Sequence, residues 1–313
     1  NRIALPAVPT RKTCLWATNP RVPSVGRAEL VELPMTYTRH RGALRYLTEG
    51  RIGLIRLSNQ SERESVAVTV ENDGATTLLV FSRNLDELFL KSEPDSVALP
   101  GRVLDLQWFG HEQTWAALCA SPAGTSIELV HNTNRVRVEV TRSRRKLDPN
   151  RIAVVGETIL VMSTGYDVER RDGASVTAIE AFYPRHRQSL EPVMVGGTLF
   201  SSSKSVLNVG TDRLCVATAH AARGSATATV VGVRDRLAIE QVVALASAAS
   251  TFHGVVNYSD DTLFLASGPV VHRVEFGGGV RTARMDSDVR DIAWVRGQLA
   301  VAEGNRVHVL DPA

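Results

Sequence analysis

The chain has 313 residues, 43% hydrophobic and 22% charged, with 36 Lys and Arg against 33 Asp and Glu for a formal net charge of +3. That length suits one large all-β domain or two ordinary ones, and the near-balance of charge makes no electrostatic case for nucleic acid. No apolar run approaches the roughly 20 residues of a membrane-spanning helix. The first 30 residues lack the apolar block and cleavage site of a secretory leader, so the chain is expected to be intracellular, nuclear or cytoplasmic, or already trimmed. Cys14, Cys119 and Cys215 form an odd set without metal-type spacing, which points to free thiols, buried where they sit in strand-like runs.

In chain order, "GALRYLTEGRIGLIRL" opens the recognisable pattern and predicts a unit near residues 28–60, followed by another near 65–99. Next come "VLDLQWF" at 103–109, "TWAALCA", "SIELVH" and "RVRVEV", then "RIAVV", "TILVMS" and "ASVTAIEAF". A further unit reads "SVLNV", "RLCVATA", "SATATVVGV" and "LAIEQVV", and another "HGVVNY", "TLFLAS", "VVHRVEF" and "VRTARM". The last is "VRDIAWV" at 289–295, "QLAVAE" and "RVHVLD". Runs of four to eight residues rich in Val, Ile, Leu and Thr, broken by Gly, Asn, Asp and Ser, predict strands joined by turns. The links "GE" at 156–157, "GTD" at 210–212, "SDD" at 259–261 and "RG" at 296–297 are of hairpin type.

"VLDLQWF" and "VRDIAWV" share one pattern, and Asp105 and Asp291 stand 186 residues apart, four lengths of 46.5. A four-stranded propeller blade takes about 40–45 residues. On these first strands and this spacing the chain resembles the WD-repeat family of β-propellers. It departs from that family in lacking a Trp-Asp dipeptide at the end of the third strand, and Gly110-His111 falls in a first-to-second-strand turn. The resemblance implies an all-β, seven-bladed propeller of four-stranded antiparallel blades, a single domain over 1–313 with blades from 28 to 313. The final unit has three strands, so residues 1–27, through "TCLWAT", are expected to supply the strand that closes the ring. Six blades with an N-terminal extension is the alternative.

No Gly-x-Ser-x-Gly elbow, His-Glu-x-x-His pair, phosphate loop or Cys-x-x-Cys occurs, nor the Ser/Asp boxes of sialidase-like propellers, so no cofactor and no metal is expected. Asp105 and Asp291 read as structural carboxylates that bond turn amides, and Trp108 and Trp294 as packing between adjacent blades, with Trp115 in the core. His131, His272 and His308 lie in third strands and read as partly exposed structural histidines.

The sharper signal is charge. "RSRRKLDPNR" at 142–151 and "TGYDVERRDGA" at 164–174 occupy two loop classes that emerge on one face of a propeller. Arg142, Arg144, Arg145, Lys146, Arg170 and Arg171 would meet there and suit an acidic or phosphorylated peptide, because guanidinium pairs bidentately with phosphate and carboxylate. "YPRHRQSL" at 183–190 would fall on the opposite face. The reading is therefore a non-catalytic scaffold for protein partners, a subunit of a larger intracellular assembly, similar in size and basic face to the small single-propeller adaptors of mitotic-checkpoint and kinetochore type. The alternatives are a divergent propeller hydrolase, which requires a polar channel rather than a dry one, and an RNA-binding propeller, for which stacking aromatics are scarce.

Overall fold

A computed structural model describes residues 51–58, 63–72, 74–84, 94–140, 147–166, 174–182, 191–220, 224–245, 252–257, 262–276, 279–295 and 297–310. These residues form six antiparallel sheets that succeed one another along the chain. Sheet A holds β1 (Arg51–Leu57), β2 (Arg63–Asn72), β3 (Ala75–Asn84) and β4 (Asp95–Leu99). Sheet B holds β5 (Arg102–Phe109), β6 (Thr114–Ser121), β7 (Gly124–His131) and β8 (Asn134–Glu139). Sheet C holds β9 (Asp148–Val155), β10 (Thr158–Tyr166), β11 (Ser175–Phe182) and β12 (Val193–Gly196).

In sheet D the first strand is interrupted. β13 (Thr198–Leu199) and β14 (Val206–Val209) both pair with β15 (Arg213–His220), and a single 3-10 turn at Ser203–Ser205 lies between them. β16 (Ser225–Val233) and β17 (Leu237–Leu245) complete it. Sheet E holds β18 (Phe252–Asn257), β19 (Thr262–Ser267), β20 (Val270–Glu275) and β21 (Val280–Arg284), and sheet F the three strands β22 (Val289–Val295), β23 (Gln298–Glu303) and β24 (Arg306–Leu310).

Burial explains the sequence pattern. Second strands are covered on both faces, so they read as near-continuous apolar runs: all of Thr158–Ser163 in β10 and all of β19 are buried. Outer strands face solvent, as in β21, exposed at every residue. The apolar layers lie between sheets that are neighbours in sequence: A with B, B with C, C with D, D with E, and E with F. Each fully buried Leu, Ile or Phe in these layers contributes roughly 1.5–3 kcal/mol.

Where the chain passes between sheets it needs glycine. Gly101 and Gly197 have φ of +77° and +90°, and a Cβ on either would run into the carbonyl of Ala120 or Ala219 at the end of the next second strand. Cys119 and Cys215 are buried free thiols, as expected, and burial pushes both up to about 12. No helix among the described residues is long and apolar enough to cross a membrane.

Two expectations are corrected. The units placed at 28–60 and 65–99 are not divided there: "RIGLIRL" is β1, and its partner is β2, so residues 51–99 make one sheet. A strand-sized run carries no mark of whether the next link is a hairpin or a passage between sheets. The ring-closing "TCLWAT" and any seventh blade lie outside the described residues.

The second correction concerns His272, which is buried rather than partly exposed, with neither ring nitrogen hydrogen-bonded. Burial holds its pKa below the ordinary 6.5, so the fold keeps the ring neutral while the unfolded chain protonates it. Stability is complete above about pH 6.5 and is lost as the pH falls from there through the lower folded-state value. His272→Leu is expected to flatten this acid limb in urea titrations between pH 5 and 7, and to leave stability at pH 7 unchanged or higher by about 1 kcal/mol. An unchanged acid limb would assign the pH dependence to other groups.

Candidate functional site

The first strands of successive sheets lie side by side: β1 by β5, β5 by β9, β9 by β14, β14 by β18 and β18 by β22. They form the inner edge of the arrangement, and a register shift recurs in four of them. In β5 it falls between Val103 and Asp105, and in β22 between Val289 and Asp291. β1 shifts between Ile52 and Ile55, and β9 where Arg151 and Pro149 oppose Met162 and Ser163. A bulge of this kind adds a residue and re-aims the side chain that follows. In β5 and β22 that side chain is an aspartate, whose carboxylate accepts the next residue's amide, Leu106 N or Ile292 N, at 2.9 Å in each case.

From this shared local geometry the two aspartates take different partners. Asp105 is 2% exposed and ties three sheets together: it accepts from Arg56 of β1 at 3.2 Å and from Ile152 N of β9 at 3.1 Å, with the Arg151 guanidinium at 3.8 Å. Arg151 in turn donates to Ser201 O at 2.6 Å, which extends the belt to the segment entering sheet D. Every role here is structural.

Asp291 gathers Lys204, from the 3-10 turn of sheet D, and His253 of β18, whose Nδ1 is 3.5 Å away. Lys204 also donates to Ile292 O at 3.2 Å. This second cluster is open: the side chains of Asp291 and Lys204 are 46% and 36% exposed, and His253 is 18% exposed. Burial holds the His253 pKa below the ordinary value, against the opposing pull of Asp291, so the imidazole is neutral at pH 7. Its Nε2 is buried without a hydrogen-bond partner, which suits a group that fixes its neighbours better than a base open to water. Asp291 and Lys204 present an acceptor and a donor to solvent, a pair that fits a ligand carrying both N–H and C=O.

The other predicted positions sort as follows. Trp294 stacks on Phe264 of sheet E at 5.2 Å, and Trp108 sits edge-on to Trp115 at 5.1 Å in the layer between sheets A and B. The aspartates do not bond turn amides; they join first strands, because the bulge turns them toward the neighbouring sheet. His131 contacts Gln113 O at 3.0 Å, and His308 meets Glu303 at 2.8 Å. Arg142, Arg144, Arg145, Lys146, Arg170 and Arg171 lie outside the described residues. Among the described residues no group of three or more His, Cys, Asp and Glu side chains could hold a metal ion.

Arg56, Arg151, Lys204 and His253 escaped the sequence reading. A signal existed for the second: Arg151 follows Asp105 by 46 residues, one blade length. Comparing charges at equivalent blade positions, rather than along contiguous runs, would have found it.

No family profile and no curated protein matches the sequence. Among solved structures, the acylaminoacyl peptidase of Pyrococcus horikoshii superposes with a TM-score of 0.50 at 10% identity, over 83% of this chain and 44% of that one. The chain is a β-propeller. An acylaminoacyl peptidase in complex with Z-Gly-Gly-Phe-chloromethyl ketone gives 0.48 at 10% identity over the same 83% and 44%. Drosophila Plexin A in complex with Semaphorin 1b gives 0.41 at 8% identity over 84% and 74%. The propeller spans less than half the length of the peptidases it matches.

The Pyrococcus horikoshii likeness concerns the fold: it supports the propeller part of the resemblance and does not show a WD-repeat family. It also overturns the expectation that the chain is not an enzyme. That expectation rested on finding no convergent polar set and on likeness to adaptors. The inner edge does gather ionisable side chains, and the same fold occurs in a peptidase.

Proposed function

We propose that this propeller is part of a hydrolytic protein acting on peptide-like acyl substrates, and that Lys204, His253 and Asp291 hold the substrate. The observation that carries the reading is the open, ionisable cluster on the inner edge, where a dry aliphatic surface would have told against hydrolysis. Asp291 accepts a substrate N–H, Lys204 donates to a carbonyl, and neutral His253 keeps the carboxylate in place. A peptide backbone presents both groups at short spacing. The substrate class comes from the acylaminoacyl peptidase likeness, and since the chain matches less than half of that protein, the cluster's role is to bind and orient.

The test is calorimetric titration of the purified protein with N-acetyl-Gly-Gly-Phe. Saturable binding is expected, weakened about tenfold or more in a Lys204→Met, Asp291→Asn double variant, since each lost charged hydrogen bond is worth about 1.5–3 kcal/mol. Arg234→Gln, on an exposed turn, serves as control and should bind as the parent does. No saturable binding by the parent, or equal binding by the double variant, would sink the proposal.

A further inference from the structure

Away from the inner edge, the crevice between sheets E and F has a composition that its packing does not explain. Its floor is apolar, built from Phe264, Val271, Leu299 and Leu310, and its rim carries Arg273 and Arg281. The two arginines are direct cross-strand partners on β20 and β21, and Phe264 is the partner of Arg273 on β19, so the three form one row across the sheet. Like charges directly opposite one another on antiparallel strands are destabilising. Glu275 relieves this only in part: it meets Arg273 NH2 at 3.2 Å, while Arg273 Nε is buried with no hydrogen-bond partner. Arg281 is exposed, and among the described residues its side chain makes no hydrogen bond or ion pair.

The volume of the crevice is about 130 Å³. An apolar cavity of about 150 Å³ takes a benzene molecule, which sets the size of the body that fits.

We propose that this crevice binds a small carboxylate carrying an apolar body of about six carbon atoms, the carboxylate bridging the Arg273 and Arg281 guanidiniums and the body lying against Leu310. The anion offsets the like-charge repulsion of the facing arginines. The apolar body packs against Leu310, the partly exposed member of a floor whose Phe264, Val271 and Leu299 are buried. Selectivity follows from needing both parts: an uncharged analogue leaves the arginines facing each other, and an acid without a body leaves the crevice unfilled. The site is independent of Lys204, His253 and Asp291.

The probe is hexanoate, titrated by calorimetry, with tryptophan fluorescence as a second readout because Trp294 stacks on the Phe264 floor. Saturable binding is expected with a fluorescence change that is absent in Trp294→Phe. Acetate and 1-hexanol should bind at least about tenfold more weakly, as should hexanoate to Arg281→Gln, an exposed position whose replacement leaves the fold intact. Arg281→Lys should recover part of the affinity, since it keeps the charge and loses the fork. The proposal is overturned if hexanoate fails to saturate the parent protein, if Arg281→Gln binds it equally well, or if acetate matches it. Binding of acetyl-Gly-Gly-Phe in the Arg281→Gln variant separates failure here from failure at the inner edge.

Discussion

Asp105→Ala is expected to lower the free energy of unfolding by about 3–5 kcal/mol, the cost of breaking a buried ion pair from one side. The carboxylate is 2% exposed and serves Leu106 N, Ile152 N and two guanidiniums at once. Its removal strands the Ile152 amide in a residue with no solvent exposure, and leaves Arg56 and Arg151, 24% and 18% exposed, without their shared anion. Asp291→Ala provides the internal comparison. It shares the bulge and the contact to the following amide, yet its side chain is 46% exposed and its lysine partner 36%, so both re-solvate and the cost should be about 0–1 kcal/mol. Guanidinium denaturation with unchanged m-values measures both. Equal costs would show that the buried belt does not hold sheets A, B and C together.

Much of the architecture was legible because second strands are buried on both faces and follow hairpins whose glycines the turns require. Gly156, Gly210 and Gly297, read as hairpin residues, all have positive φ. The repeat spacing located the first strands of sheets B and F. The division of residues 51–99 was not legible, because hairpins and inter-sheet passages use the same residues and only hydrogen-bond partners distinguish them. The inner-edge clusters were hidden for a different reason: Lys204 and Asp291 are 87 residues apart, and nothing in a local window links them. Charge was sought in contiguous runs, whereas this fold assembles it from single residues, one per sheet. His272 was misjudged because a histidine in a strand carries no sign of which side is covered.

Trp115→Ala is expected to cost about 3–5 kcal/mol, the range for emptying a large buried aromatic site. Trp115 is 2% exposed and belongs to the layer in which Ala67, Leu78, Val80 and Leu99 of sheet A meet Leu106 and Cys119 of sheet B. Four of these six neighbours, Ala67, Leu78, Val80 and Cys119, lie on strands paired on both sides, so the site cannot collapse onto the void without shifting a sheet. Trp115→Phe keeps much of the volume and removes an indole N–H that has no hydrogen-bond partner, so it should cost less than about 1.5 kcal/mol. Trp294→Ala should fall below Trp115→Ala, because that ring is only partly buried although it stacks on Phe264. A double-mutant cycle between Trp108 and Trp115, rings 5.1 Å apart at 66°, should show coupling of about 0.5–1.5 kcal/mol. If Trp115→Ala costs no more than Trp115→Phe, the indole is not filling the layer between sheets A and B, and the cohesion of those sheets must then rest on the Asp105 belt at their inner edge.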